Sequence, residues 1–192
     1  MDHSSAPRLT YKVSLPGGQS RLREAALYVM KKCEGAESFG LTKLNKILWR
    51  ADFKAFAARR TPVTGRQYQR LQQGPAPVEM KPILNEMERD GIMKIEKREV
   101  GPFEESRPIA LVEPSLRYFS ADDLAYLDSA IEQYWDFTGR GVSRDSHGIA
   151  WQTRSNGDAM AYDLALLSDD KLGAREIALF SRLATERGWQ SA

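Results

Sequence analysis

The chain has one cysteine, Cys33, and two histidines, His3 and His147, in 192 residues. A lone cysteine forbids an internal disulfide and fits a reducing cytoplasm. Two histidines leave too few ligands for a zinc site. No apolar run approaches the ~18 residues that cross a bilayer, and the opening MDHSSAPRLTYKVSLPGGQS lacks the apolar core of a secretory leader. Charge of one sign is missing too. With 28 basic and 26 acidic residues the net charge is +2, which selects neither nucleic acid nor an anionic membrane as partner. GxSxG, Walker and GxGxxG patterns are absent. Cys33 falls on the apolar side of a helix, and Asp122/Asp123, Asp169/Asp170 and Glu104/Glu105 lie where helix-start dipoles or solvation account for them. No catalytic residue, metal or cofactor is expected.

What is present suits a sizeable core: 42% of residues are apolar, enough for one domain of this length. Residues 1–18 are polar, end in Pro16-Gly17-Gly18 and read as a flexible arm, leaving 19–192 as a single domain. Ser20 is placed to cap a first helix that Gly35 ends in a left-handed turn. A short strand near Tyr68 runs into a bend at Gly74, Pro75 and Pro77. A helix over Glu79 to Asp90, closed by Gly91, precedes strands at 92–100 and 107–112 joined by the loop GPFEES. Phe119, Ser120, Asp123 and Leu124 form a capping box with a hydrophobic staple. Short helical structure is expected in SRDSHGIAW and a terminal helix in AREIALFSRLATERG. The sum is an α+β fold: a predominantly helical single domain around a buried central helix, with a small antiparallel β-hairpin or sheet.

The central helix, LTKLNKILWRADFKAFAARR (41–60), carries two apolar arcs at ~100° per residue. Leu41, Leu44, Ile47, Leu48, Ala51, Ala55 and Ala58 fill one; Trp49, Phe53 and Phe56 fill the other. Lys43, Lys46, Arg50 and Lys54 read as a solvated basic stripe. Asn45 and Asp52 fall between the arcs, so Asp52 is a buried carboxylate that must be paired or give up its charge. Backbone N–H groups or an Arg, Trp or His donor would serve, with a partner-facing role the alternative; His147 is one candidate donor. His147 and Trp151, four apart, should share one helical face and lock against the central helix. The helix at 79–90 followed by a hairpin also has the order of a winged-helix DNA-binding module. Its acids, with Glu104 and Glu105 on the would-be wing, oppose phosphate binding and make nucleic acid a poor partner.

Residues 41–80 resemble the Panacea domain of SocA-like antitoxins, whose pattern runs KLxKLLYxAD, G-x-P-[IV], an aromatic-centred strand and a GP-x-[VP] bend. Lys43, Leu44, Lys46, Ile47, Leu48, Ala51, Asp52, Pro62, Gly74, Pro75 and Val78 fall on it. LNEMERDG matches a later helix end, and Ser146, His147, Trp151 and Tyr162 match S-H-x-x-x-W…YEL. The departures are Trp49 for Tyr, Arg60-Thr61 where Gly is common, Gln73 for Tyr and Asp163 for Glu. The likeness covers about residues 20–165. It implies a cytoplasmic antitoxin that binds a cognate toxin directly or, as one family member does, delivers it to the ClpXP protease. Lys43, Asp52, Gly74, Pro75, His147, Trp151 and Tyr162 then carry structural or toxin-binding roles.

Overall fold

In a computed structural model, which describes residues 9–101 and 103–166, the long apolar pattern forms the helix α2, Leu41–Arg59. Its two arcs face two different cores. Leu44, Ile47, Leu48, Ala51 and Ala55 enter the larger cluster. Trp49, Phe53 and Phe56 join Tyr68, Ala150, Met160 and Tyr162 in a smaller aromatic one. α2 is therefore a wall between cores; Ala58, at its end, is exposed.

The larger core is completed by α1 (Gly18–Lys32), α3 (Met80–Arg89) and α4 (Ala121–Tyr134). α1 starts two residues before Ser20, so Ser20 is not its cap. Gly17 takes that position with φ +92°, and a Cβ there would lie 2.7 Å from the Tyr118 ring. Nor does Gly35 turn left-handed: the helix closes on Cys33, whose N–H donates to the Val29 carbonyl at 2.9 Å. The local signals at α4 survive folding. Ser120 and Asp123 exchange both capping-box hydrogen bonds, while Phe119 and Leu124 pack on the core.

Two small sheets flank the helices. β1 (Tyr68–Gln69) is the middle of an antiparallel three-stranded sheet between β2 (Ala76–Pro77) and β5 (Ala159–Met160). Pro77 thus sits opposite Tyr68 in a strand, where a prolyl bend without pairing was expected. Its missing N–H costs nothing at an edge, and Val78 N–H closes the ladder onto the Gln67 carbonyl at 2.9 Å. β3 (Met93–Val100) and β4 (Phe103–Ala110) form a hairpin in which Val100 pairs with Phe103. Most of the expected GPFEES loop is therefore strand, with Lys97, opposite Ser106, reaching diagonally to Glu104 at 2.5 Å.

α5 (Gly139–Asp145), α6 (Ile149–Gln152) and a 3-10 turn at Tyr162–Leu166 complete the described chain. Of the expected arm, residues 10–13 are tied in. Tyr162 N–H donates to the Thr10 carbonyl at 2.7 Å, Thr10 N–H to Asp163 at 2.6 Å, and Val13 N–H to the Gly65 carbonyl at 3.0 Å. The terminal helix, Asp169/Asp170, Trp189 and His3 lie outside the described residues. Among the described residues no helix is long and apolar enough to cross a membrane.

Candidate functional site

Asp52 is fully buried on α2, between the aromatic cluster and the turn after the helix. Its Oδ1 accepts the Thr64 N–H at 2.6 Å; its Oδ2 accepts the Thr64 hydroxyl and, at 2.8 Å, the Tyr68 hydroxyl. Tyr162 O–H lies 3.4 Å from the same oxygen but donates chiefly to the Arg66 carbonyl at 2.6 Å. Burial pushes the Asp52 carboxyl up to about 6, and these donors hold it from rising further. Among the described residues no Arg, Trp or His takes part, so the expected His147 pairing is not made. His147 belongs instead to a stack 3.8 Å from the Trp151 ring centre and nearly parallel to it.

The Trp151 ring is sandwiched. Arg70 places its guanidinium carbon 3.7 Å from the same ring centre, a distance that puts it on the face opposite His147. The indole N–H donates to the Leu71 carbonyl at 2.8 Å. Trp151 therefore clamps the exit of β1, while Ala150 of the same short helix joins the aromatic cluster on α2. Gly148 caps α6 in extended conformation, so His147 precedes that helix and the two rings meet across its start. Burial, followed by the charges of Lys46 and Arg70, lowers the His147 pKa.

The basic stripe is the main correction. Lys43 is 0% and Lys46 2% exposed. Lys43 Nζ donates to the carbonyls of Ser38 (2.9 Å), Trp135 (2.6 Å) and Phe137 (2.9 Å), gathering the end of α4 and the loop before α2. Lys46 Nζ donates to the Pro75 carbonyl at 2.9 Å, and burial brings its pKa down to about 7. Helical periodicity puts these lysines on one free-looking face, but chain segments 29 to 94 residues away cover it. The available signal was that both lie within the resembling motif itself.

Gly74 explains the bend. Its φ is +95°, and a Cβ there would sit 2.1 Å from Ser146 Oγ and 2.6 Å from Lys46 Cε. Gly74-Pro75 thus lays bare backbone against α2 and the end of α5, presenting the Pro75 carbonyl to Lys46. Of the residues singled out from sequence, Lys43, Gly74 and Pro75 tie α2 to neighbouring loops, Asp52 and Tyr162 share the aromatic cluster, and His147 and Trp151 clamp β1.

Sequence reasoning missed Thr64, which supplies two of the Asp52 contacts, and three ion pairs, of which Arg21–Asp123 is buried on both sides. Arg21 and Arg59 both meet Asp123, the former at 2.6 Å, and Arg66 Nε meets Glu79 at 2.7 Å. Partners that far apart in sequence leave no periodic trace. Asn45 Oδ1 is buried without a partner among the described residues, and nothing in the structure explains it. Cys33 is buried and its thiol is pushed up to about 11, the state of an inert packing residue.

A cleft lies between α2 and the 3-10 turn and another beneath the β3–β4 hairpin; neither of these includes Asp52 or His147. Among the described residues no group of three or more His, Cys, Asp and Glu is placed to hold a metal.

A family model described as "Antitoxin SocA-like, Panacea domain" matches residues 44–152, more than half of the chain. The match runs from the first turn of α2 to the end of α6 and includes Asp52, Gly74, Pro75, His147 and Trp151; Lys43 and Tyr162 lie just outside it. No match was found among curated proteins or among solved structures. With its central helix, its GP bend and its His147–Trp151 segment inside the matched span, the chain belongs to the SocA-like antitoxin family and carries a Panacea domain.

Proposed function

We propose that this protein neutralises a cognate toxin by direct protein contact in the cytoplasm, without chemistry of its own. Membership in the SocA-like antitoxin family carries the reading. The positions of the motif residues support it: Lys43, Lys46 and Asp52 are taken up by carbonyls and hydroxyls of the fold, so the working part is the surface around them. A neutralising contact covers ~800 Å² per partner and depends on a few large anchors. Trp135 and Phe137, each 38% exposed, are of that type. Delivery to ClpXP uses the same toxin contact and adds a protease contact. The DNA-binding alternative has the right element order, α3 then the β3–β4 hairpin. Yet exposed Glu86 and Glu88 offset Lys81 and Arg89 on α3, and Glu104 engages Lys97 on the hairpin.

The test is genetic. Each adjacent reading frame is expressed alone and together with this chain. Toxicity of one neighbour alone, and restored growth on co-expression with an intact toxin level, is the expected outcome. A toxin level that falls only when ClpX is present assigns the adaptor mode. If every neighbour is harmless alone, the antitoxin reading fails.

A further inference from the structure

Between α2 and the 3-10 turn lies a cleft of about 100 Å³, walled by Trp49 and Phe53 on one side and by Ala150 and Leu164 on the other. Its size limits what can enter. Small-molecule sites run to ~300–1,000 Å³, whereas an apolar cavity of ~150 Å³ holds a benzene. This cleft has room for one aliphatic side chain.

Its edge is positively charged, with no salt bridge to either cation among the described residues. Arg50 and Lys54, one helical turn apart, both line the cleft. Arg50 Nε and Lys54 Nζ donate to the same neutral oxygen, Gln133 Oε1, at 3.2 and 2.8 Å. Neither has a carboxylate within 4.0 Å among the described residues. Asp145, the acid that acts on Lys54 from a distance, accepts the Tyr134 hydroxyl at 2.7 Å. Burial, and then the charge of Arg50, pull the Lys54 ammonium below its usual value, as expected of two cations sharing one amide. The Trp49 indole N–H is buried and has no acceptor among the described residues. Apolar walls beside two cations that share one neutral amide oxygen form a site for an apolar group attached to an anion.

We propose that this cleft receives the toxin: an aliphatic side chain of the toxin enters between Trp49 and Leu164, and a neighbouring Asp or Glu of the toxin displaces Gln133 from Arg50 and Lys54. The inference rests on the antitoxin reading and gives that reading a surface. A single-residue hole with apolar walls favours a protein over a phosphate backbone, which would need no such hole.

The test uses the full chain and the toxin identified by co-expression, with affinity measured by calorimetric titration. Arg50→Glu and Lys54→Glu should each weaken binding on the order of tenfold or more, and Ala57→Trp, which fills the cleft from α2, should do the same. Lys54→Arg should stay close to the parent, as should Lys97→Glu on the distant hairpin. Melting temperatures are recorded for every variant. A second measurement needs no variant: carbodiimide treatment of the parent complex, followed by mass spectrometry, should join Lys54 to a toxin carboxylate. Parent-like affinity of Arg50→Glu and Lys54→Glu overturns the inference and leaves the antitoxin reading intact. So does a complex whose cross-links all avoid Lys54, or loss of duplex DNA binding in these variants while toxin binding persists. If the parent chain binds no neighbouring gene product, both fall together.

Discussion

Tyr68 donates its hydroxyl to Asp52 at 2.8 Å, so the middle strand of the small sheet is tied to the middle of α2 through a fully buried carboxylate. Removing the carboxylate leaves the Thr64 N–H and the Tyr68 hydroxyl buried without that acceptor. Asp52→Ala should therefore lower stability by about 3 kcal/mol, at ~1–3 kcal/mol for each buried donor left without a partner. Urea unfolding checks this, and a midpoint equal to the parent's would refute it.

Asp52 and Lys46 also set a pH signature. The folded Asp52 carboxyl titrates at about 6 against an ordinary 3.8, so its contribution is fully present below about pH 4 and lost as pH rises through 6. At ~1.4 kcal/mol per pH unit the loss is on the order of 3 kcal/mol. Lys46 runs the other way. Its folded pKa of about 7 lies below the ordinary 10.5, so its contribution is present above about pH 10.5 and lost as pH falls through 7. Stability should pass through a minimum between about pH 6 and 7. Asp52→Asn should flatten the acid side of that minimum and Lys46→Met the alkaline side, read from melting temperature across pH. A monotonic profile in the parent would contradict both assignments.

Three residues with positive φ separate backbone strain from steric fit. Gly101 has φ +59° with open space around it, so Gly101→Ala should cost only about 1 kcal/mol. Gly74→Ala meets the same backbone penalty and also drives a methyl into Ser146 and Lys46, so it should cost at least about 2 kcal/mol more. Arg60, at φ +59°, is the one non-glycine residue in this region among those described. Arg60→Gly should stabilise by about 0.5–1 kcal/mol after the added unfolded-state entropy is subtracted. Equal costs at Gly74 and Gly101, or a destabilised Arg60→Gly, would count against this account.

Lys43 donates hydrogen bonds to three main-chain carbonyls. Lys43→Met keeps the buried stem and removes the donors, and should cost about 2–4 kcal/mol. Hydrogen exchange should speed up at 135–138 more than at the far end of α4. Uniform exchange along α4 in the variant would rule out the local role.

The sequence alone determined the elements whose causes are local. Helical spacing located α2 and split its apolar residues into two arcs, which became two cores. Ser120 and Asp123 announced the start of α4 because a capping box closes within four residues. The motif at 41–80 declared the family. Tertiary structure decided which polar groups stay wet. Lys43, Lys46 and Arg50 lie on the same apparent stripe, yet the first two are sealed by the carbonyls at 135, 137 and 75 while Arg50 stays at a cleft edge. Asp52 likewise found hydroxyls from 64 and 68 instead of the imidazole of 147. Periodicity records which way a side chain points from its own helix. Whether it meets water or a distant carbonyl depends on where the rest of the chain comes to lie.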